Sequence, residues 1–433
     1  MHPTTIIHPT TPPRNRTPMT SSYDVERQRS MFPALSRMTG ERPAVFFDGP
    51  AGSQVPQQVI DAVSRYLAET NANHGGTFAT SVESDQVLDH AQHAAADFLG
   101  TADPDLVVFG ANMTTLTFSL SRSLSRDWSE GDEIIVSRLD HDANYTPWTS
   151  AARDAGATVK HIEVRKEDCT LDMDSLREQL SSRTRLVAVG CASNAAGTIN
   201  PFQEIIALAH EVGAKVFLDA VHYAPHARLS ADDWDCDFLA CSAYKFFGPH
   251  VGLLWGKREW MTTLPAYQVR PAGNDVPDRW LTGTQNHEGI AGTAAAIEYL
   301  ADLGRSLQPS AKDRGAALSA AFREITAHEQ ELCKQLLDGL SQLSSIRVWG
   351  ITDLESLSHR VPTVSFTHAR HAPRQVAEFL AERGIFVWHG NYYALPLTEA
   401  LDLEPDGMVR IGLLHYNPAT EVERLLAALA ELE

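Results

Sequence analysis

Cysteine is scarce in this chain: Cys169, Cys191, Cys236, Cys241 and Cys333 are the five in 433 residues. Their odd number and scattered spacing exclude a disulfide framework, give no metal site, and fit a reducing compartment. Basic residues are also short, 36 Lys and Arg against 55 Asp and Glu, for a formal net charge of −19. Phosphate backbones select basic faces, so no nucleic-acid partner is expected. No apolar run approaches the ~20 residues that cross a bilayer, so no membrane partner is expected either. Residues 1–22 are rich in Thr and Pro and lack the apolar stretch of a secretory signal. They read as a disordered tail, or as an over-long start with Met19 a candidate initiator, and a cytoplasmic protein is expected.

What is present is a soluble, globular composition, and 433 residues exceed one small core. Short β-branched runs alternate with helical spacing, the pattern of a parallel sheet covered by helices. Strands are predicted at 106–109, 133–136, 159–162, 186–189, 215–218, 238–241 and 252–255. That makes an α/β fold with a mostly parallel seven-stranded sheet. A long helical pattern over 312–343 precedes mixed signals at 362–367, 374–382, 410–413 and 421–432, read as a small α+β domain. The expected organisation is an arm over 23–45 packing on the small domain, a large domain over 46–304 and a small one over 305–433.

Chemistry concentrates after the predicted strands. In "DCDFLACSAYKFFGPHVG", Lys245 follows Ser242 and sits among Tyr244, Phe246 and Phe247. An ammonium is costly to bury, so such a lysine should have a lowered pKa and attack carbonyls readily. The segment alone reads equally as a lysine snorkelling from a strand end. In "KVFLDAVHYAPH", Asp219 ends an apolar strand, the edge of an open α/β sheet where ligands collect, and His222 follows. An acid there can hold a pyridine nitrogen protonated, or simply cap a turn. "VVFGANMTTLTFSL" reads as strand, Gly110, then a helix start able to bind an anion. "RLDHDANYTPW" puts His141, and "VAVGCASNAAG" puts Asn194, after two further strands. Several polar groups therefore converge on one sheet edge.

Together these segments resemble the cysteine desulfurase-like branch of the class V aminotransferases, pyridoxal 5'-phosphate (PLP) enzymes of fold type I, from about Phe46 to Leu432. The resemblance of "SAYK" implies that Lys245 bonds the cofactor's aldehyde and that Ser242, with Ala111 and Asn112, holds its phosphate. "DHDAN" implies that His141 stacks on the ring, "SNAAG" that Asn194 meets the ring hydroxyl, and Asp219 would pair with the pyridine nitrogen. "LTGTQN" implies that Gly283 and Thr284 reach a neighbouring subunit's phosphate, hence a homodimer with shared active sites. "MVRIGLLHYN" implies that Arg410 clamps the α-carboxylate of an amino-acid substrate.

Two departures bear on the reaction. Desulfurases of this branch carry a nucleophilic cysteine in a mobile loop; the matching segment here is "VWHGNYYALP", with Tyr393 in its place and no cysteine after Cys333. Their ring-hydroxyl glutamine is replaced by His222. The expectation is chemistry at Cα by an aminotransferase or a carbon–sulfur lyase without persulfide chemistry. His389, Tyr392 and Tyr393 are substrate-side candidates. An amino-acid epimerase or racemase, a desulfurase with a non-standard sulfur acceptor, and a non-catalytic PLP-fold partner protein are the alternatives.

Overall fold

The computed structural model describes residues 23–432, so the expected tail and Met19 lie outside it. A seven-stranded sheet is built from β1 (Val107–Gly110), β2 (Glu133–Ser137), β3 (Thr158–Ile162), β4 (Thr184–Gly190), β5 (Lys215–Asp219), β6 (Phe238–Ser242) and β7 (Gly252–Gly256), in the order β1-β7-β6-β5-β4-β2-β3. Only β7 runs antiparallel to its neighbours, β6 and β1. Central strands such as β2 and β6 are buried at every position, so they read as unbroken apolar runs rather than alternating ones.

Six of the seven strands extend one residue past the apolar run that signals them, to Gly110, Ser137, Gly190, Asp219, Ser242 and Gly256. Those last positions are small or polar, yet still paired; Asp219 lies opposite Gly190 on one side and Ala240 on the other. The strand ends thus carry the chemistry.

Helices α1 (Ala79–Leu99), α2 (Met113–Leu124) and α3 (His287–Leu307) cover this sheet, and α4 (Arg314–Ser341) leads away from it. Phe322 and Ile325 of α4 belong to the large core, whereas Leu332, Leu336 and Leu340 belong to a second. That second core lies between an antiparallel sheet and two helices, α5 (Pro373–Glu382) and α6 (Ala419–Ala430). Its strands are β8 (Ile346–Trp349), β9 (Thr363–His368), β10 (Trp388–Gly390) and β11 (Met408–Gly412), in the order β8-β9-β11-β10. The amino-terminal residues reach the same end of the chain. Tyr23 Oη donates to His415 O at 2.8 Å, and Arg29 pairs with Glu421 at 2.8 Å. Among the described residues no helix is long and apolar enough to cross a membrane.

Candidate active site

The pocket opens at the carboxyl ends of β4, β5 and β6. Asn112, His141, Asn194, Asp219, His222, Ser242 and Lys245 all line it, together with Met113, Asp140 and Tyr244. Residues drawn from five separate segments are therefore gathered by one feature, the shared edge of the sheet.

Lys245 sits in a short turn after β6, 8 % exposed, and its Nζ donates to the Pro50 carbonyl. Its pKa is lowered to about 7, by burial first and then by Arg410, with Asp219 opposing the shift. A substantial neutral-amine fraction near pH 7 is what a lysine needs to attack a carbonyl or take a proton. Asp219 is held up at about 6 by burial, against a bond from the Val221 N–H at 2.8 Å and the charge of Lys245. His141 is pushed down to about 4, by burial first and then by Lys245 and Arg410.

The β1–α2 turn supplies the anion end. Asn112 caps α2 by accepting the Thr115 N–H at 2.8 Å, and the Met113 N–H donates to Ser242 Oγ at 3.0 Å. A side chain at Gly252 would collide with the Asn112 backbone, so β7 is bare where this turn crosses it. Ala111 immediately precedes the cap, outside the pocket lining.

Two polar atoms at the pocket wall, Asn194 Oδ1 and His222 Nδ1, are buried without a partner. Buried polar groups normally have partners, so orphans here mark positions that a polar ligand satisfies. With a pre-lowered lysine, a buried acid, a ring-sized histidine and a helix start, the donor set fits PLP.

Arg410 lies in β11, fully buried. Its Nη1 donates to the Asn194 carbonyl at 2.8 Å, and its guanidinium stands 4.2 Å from the Tyr392 ring centroid. Asn194 Nδ2 donates to Tyr392 O at 3.0 Å, tying that turn to the large sheet. Tyr393 is 72 % exposed and stacks on His141. His389 is placed elsewhere: it pairs with Val409 while Trp388 pairs with Arg410, so His389 projects from the opposite face of the small sheet, exposed. Gly283 and Thr284 line a separate groove with His74, Asp85 and His287.

Sequence reasoning missed three participants. Asp140 accepts the Gly190 N–H at 2.9 Å and is raised to about 7, by burial first and with a contribution from Asp219. Its position inside "RLDHDANYTPW", beside His141, was the available signal. Asp48, raised by burial to about 6, and Thr363, bonded to His222, carried none.

Fold and pocket together define a PLP-dependent enzyme of fold type I. The aminotransferase class-V family model matches residues 45–425, and the chain belongs to that family. It is 31% identical over 422 residues to a cysteine desulfurase of Dickeya dadantii, covering 94% of this chain and 96% of that protein. It is 33% identical over 419 residues to the aminotransferase-like protein FGM3 of Gibberella zeae, covering 94% and 98%. Among solved structures, the apo cysteine desulfurase of Thermococcus onnurineus NA1 superposes with a TM-score of 0.82 at 26% identity, covering 94% of this chain and 97% of that one.

Proposed function

We propose that this enzyme acts at Cα of an amino acid as an aminotransferase or a carbon–sulfur (β-elimination) lyase, without forming a persulfide on the protein. The observation that carries the second half is the fate of the thiols. All five cysteines are buried and free, and none lines the pocket. Burial pushes Cys169 up to about 12 and raises the other four. A thiol must ionise to take sulfur, so none of these is placed or poised to do so. Tyr393, which the resemblance puts in the place of the desulfurase cysteine, stacks on His141 and offers a phenol rather than a thiol.

PLP, when bound, supplies an electron sink for charge that develops at the substrate Cα. Arg410 binds the α-carboxylate and fixes the amino acid's orientation. Lys245 Nζ, neutral for part of the time near pH 7, takes the Cα proton and returns one. Asp219 would keep the ring nitrogen protonated, and His141 would shield the ring from water. The cysteine desulfurase names among the relatives favour the carbon–sulfur arm of this reading.

We further propose a homodimer with shared sites, because Gly283 and Thr284 are exposed and line a groove separate from the pocket. Sedimentation of the loaded protein tests this, with a monomer the contrary result.

For the reaction, the protein is loaded with PLP and amino acids are screened by visible absorbance. Products are then assayed as keto acid, ammonia or inverted Cα. Keto acid made only with a 2-oxo acid present identifies the aminotransferase; keto acid and ammonia without one identify the lyase. After incubation with cysteine, mass spectrometry should find five unmodified thiols. A persulfide on any of them overturns the proposal.

A further inference from the structure

His222 has two ring nitrogens in different situations. Nε2 lies 2.9 Å from Thr363 Oγ1, which reaches across from the first residue of β9 in the small sheet. Nδ1 is buried with no partner, and His222 lines the pocket, so Nδ1 is the nitrogen left to meet whatever fills it. Both residues are closed to solvent, at 4 % and 0 % exposure.

The imidazole is held neutral from several sides. Burial is the largest cause, followed by His226, Lys245, Arg410 and His141, whose charges all disfavour a further cation. The His226 ring stands edge-on at 5.5 Å between centroids. A neutral imidazole carries one proton, and the partner of one nitrogen decides what the other offers. A threonine hydroxyl can donate or accept. If it donates to Nε2, the proton sits on Nδ1 and faces the pocket as a donor. If it accepts, Nδ1 is a bare lone pair there.

The ring hydroxyl of PLP becomes an oxyanion on ionisation, and an oxyanion calls for donors. Asn194, the other candidate at that edge, already spends one N–H on Tyr392 O. We propose that Thr363 is a positioning residue: its hydroxyl donates to His222 Nε2 and so fixes the Nδ1–H tautomer that donates to the ring oxygen of PLP. The inference rests on the PLP reading of the pocket. It makes a small-domain hydroxyl part of the cofactor's hydrogen-bond set, across 141 residues of chain.

The direct test is ¹⁵N NMR of the imidazoles in the PLP-loaded protein, with the His222 signals assigned by their loss in His222→Gln. Nδ1–H is expected; a proton on Nε2 overturns the proposal. Substitution gives an independent reading. Thr363→Val keeps the shape and removes the hydroxyl, whereas Thr363→Ser keeps the hydroxyl. Thr363→Val should weaken PLP binding about tenfold, the scale of one hydrogen bond to a charged group, and move the pH midpoint of the visible band. Thr363→Ser should restore both. In the His222→Gln background, Thr363→Val should change neither further. A Thr363→Val protein that binds and titrates like the parent, or effects that add in the double variant, would sink the idea. A parent that binds no PLP overturns the cofactor reading as well, which separates the two failures.

Discussion

The Tyr393 ring lies over that of His141, centroids 5.5 Å apart and planes 30° from parallel, while Tyr393 O accepts the Asp142 N–H at 2.7 Å. The turn is therefore fastened by both backbone and ring to the segment that carries His141. It is also unusual backbone. Tyr392 and Tyr393 both have left-handed φ, 57° and 60°, a conformation that costs a non-glycine residue roughly 1–2 kcal/mol.

That cost gives the first prediction. Tyr393→Gly loses the stack, worth about 0.5–1.5 kcal/mol, and removes the left-handed cost, so its stability should match the parent within about 1 kcal/mol. Tyr393→Ala loses the stack and keeps the cost. It should be less stable than the glycine variant by about 1 kcal/mol in denaturant unfolding, the reverse of the usual preference for alanine. Equal stabilities would mean the turn carries no strain.

Asp140 makes the cofactor-free protein sensitive to pH in a definite direction. Its folded-state pKa is about 7, raised by burial first, against 3.8 for a free side chain. Below pH 4 the carboxyl is protonated in both states and costs nothing. Between about 4 and 7 the unfolded chain has released the proton while the folded chain retains it, so this residue's contribution falls as pH rises. Asp140→Asn, which cannot ionise, should gain on the parent across that window, by something on the order of 4 kcal/mol at about 1.4 kcal/mol per unit. Unfolding curves at a series of pH values, compared pairwise, measure it. A difference that stays flat from pH 4 to 7 would show that the site does not hold the proton.

Arg410→Lys tests the carboxylate clamp. Lysine keeps the charge and loses the planar fork, the bond to Asn194 O and the stack on Tyr392. Amino-acid affinity, read from the absorbance change of the loaded protein, should fall about 10- to 100-fold, the worth of one charge-assisted hydrogen bond. PLP affinity should change much less. If the two fall together, Arg410 supports the pocket rather than the substrate.

The sheet was legible because its strands are buried on both faces, which turns each into an apolar run bounded by polar residues. The site was legible for the same reason: Asp219 and Ser242 stand where such runs stop. What was not legible depends on distant contacts. The pairing of β7 with β1, about 140 residues earlier, leaves no mark on "GLLWG". Thr363 is an ordinary strand residue until His222 is placed against it. His389 neighbours Tyr392 and Tyr393 in sequence, but a strand sends alternate side chains to opposite faces, and the register puts Trp388 on the side of Arg410.

Behind the pocket, His226 Nδ1 lies 2.8 Å from Glu329 Oε2 on α4, both side chains nearly sealed from solvent at 4% and 2%. Removing one member of a buried pair leaves the other uncompensated, at roughly 3–5 kcal/mol. Glu329→Ala should lose about that much in unfolding experiments. Glu329→Gln, which still accepts from Nδ1–H, should lose less than half of it. A similar loss from both would mean that charge, and not the hydrogen bond, holds His226.

The last prediction follows the backbone from Arg410 to Lys245. Gly412, two residues on in β11, packs against Pro50 so closely that a Cβ there would strike the proline ring. The same proline offers its carbonyl to Lys245 Nζ. Asp48, two residues before Pro50, bridges to Gly412 through the backbone, so the 48–50 segment cannot simply swing away. Gly412→Ala must therefore shift Pro50, Arg410 or both, at about 1–3 kcal/mol of overpacking. The expected result is a folded protein of reduced stability whose lysine has lost its resting partner. It should take up PLP with altered affinity, and the pH at which Lys245 reacts with added PLP should move away from about 7. Uptake kinetics measured against pH report that shift. If stability falls while the pH profile stays in place, Pro50 is a packing contact and has no part in setting the state of Lys245.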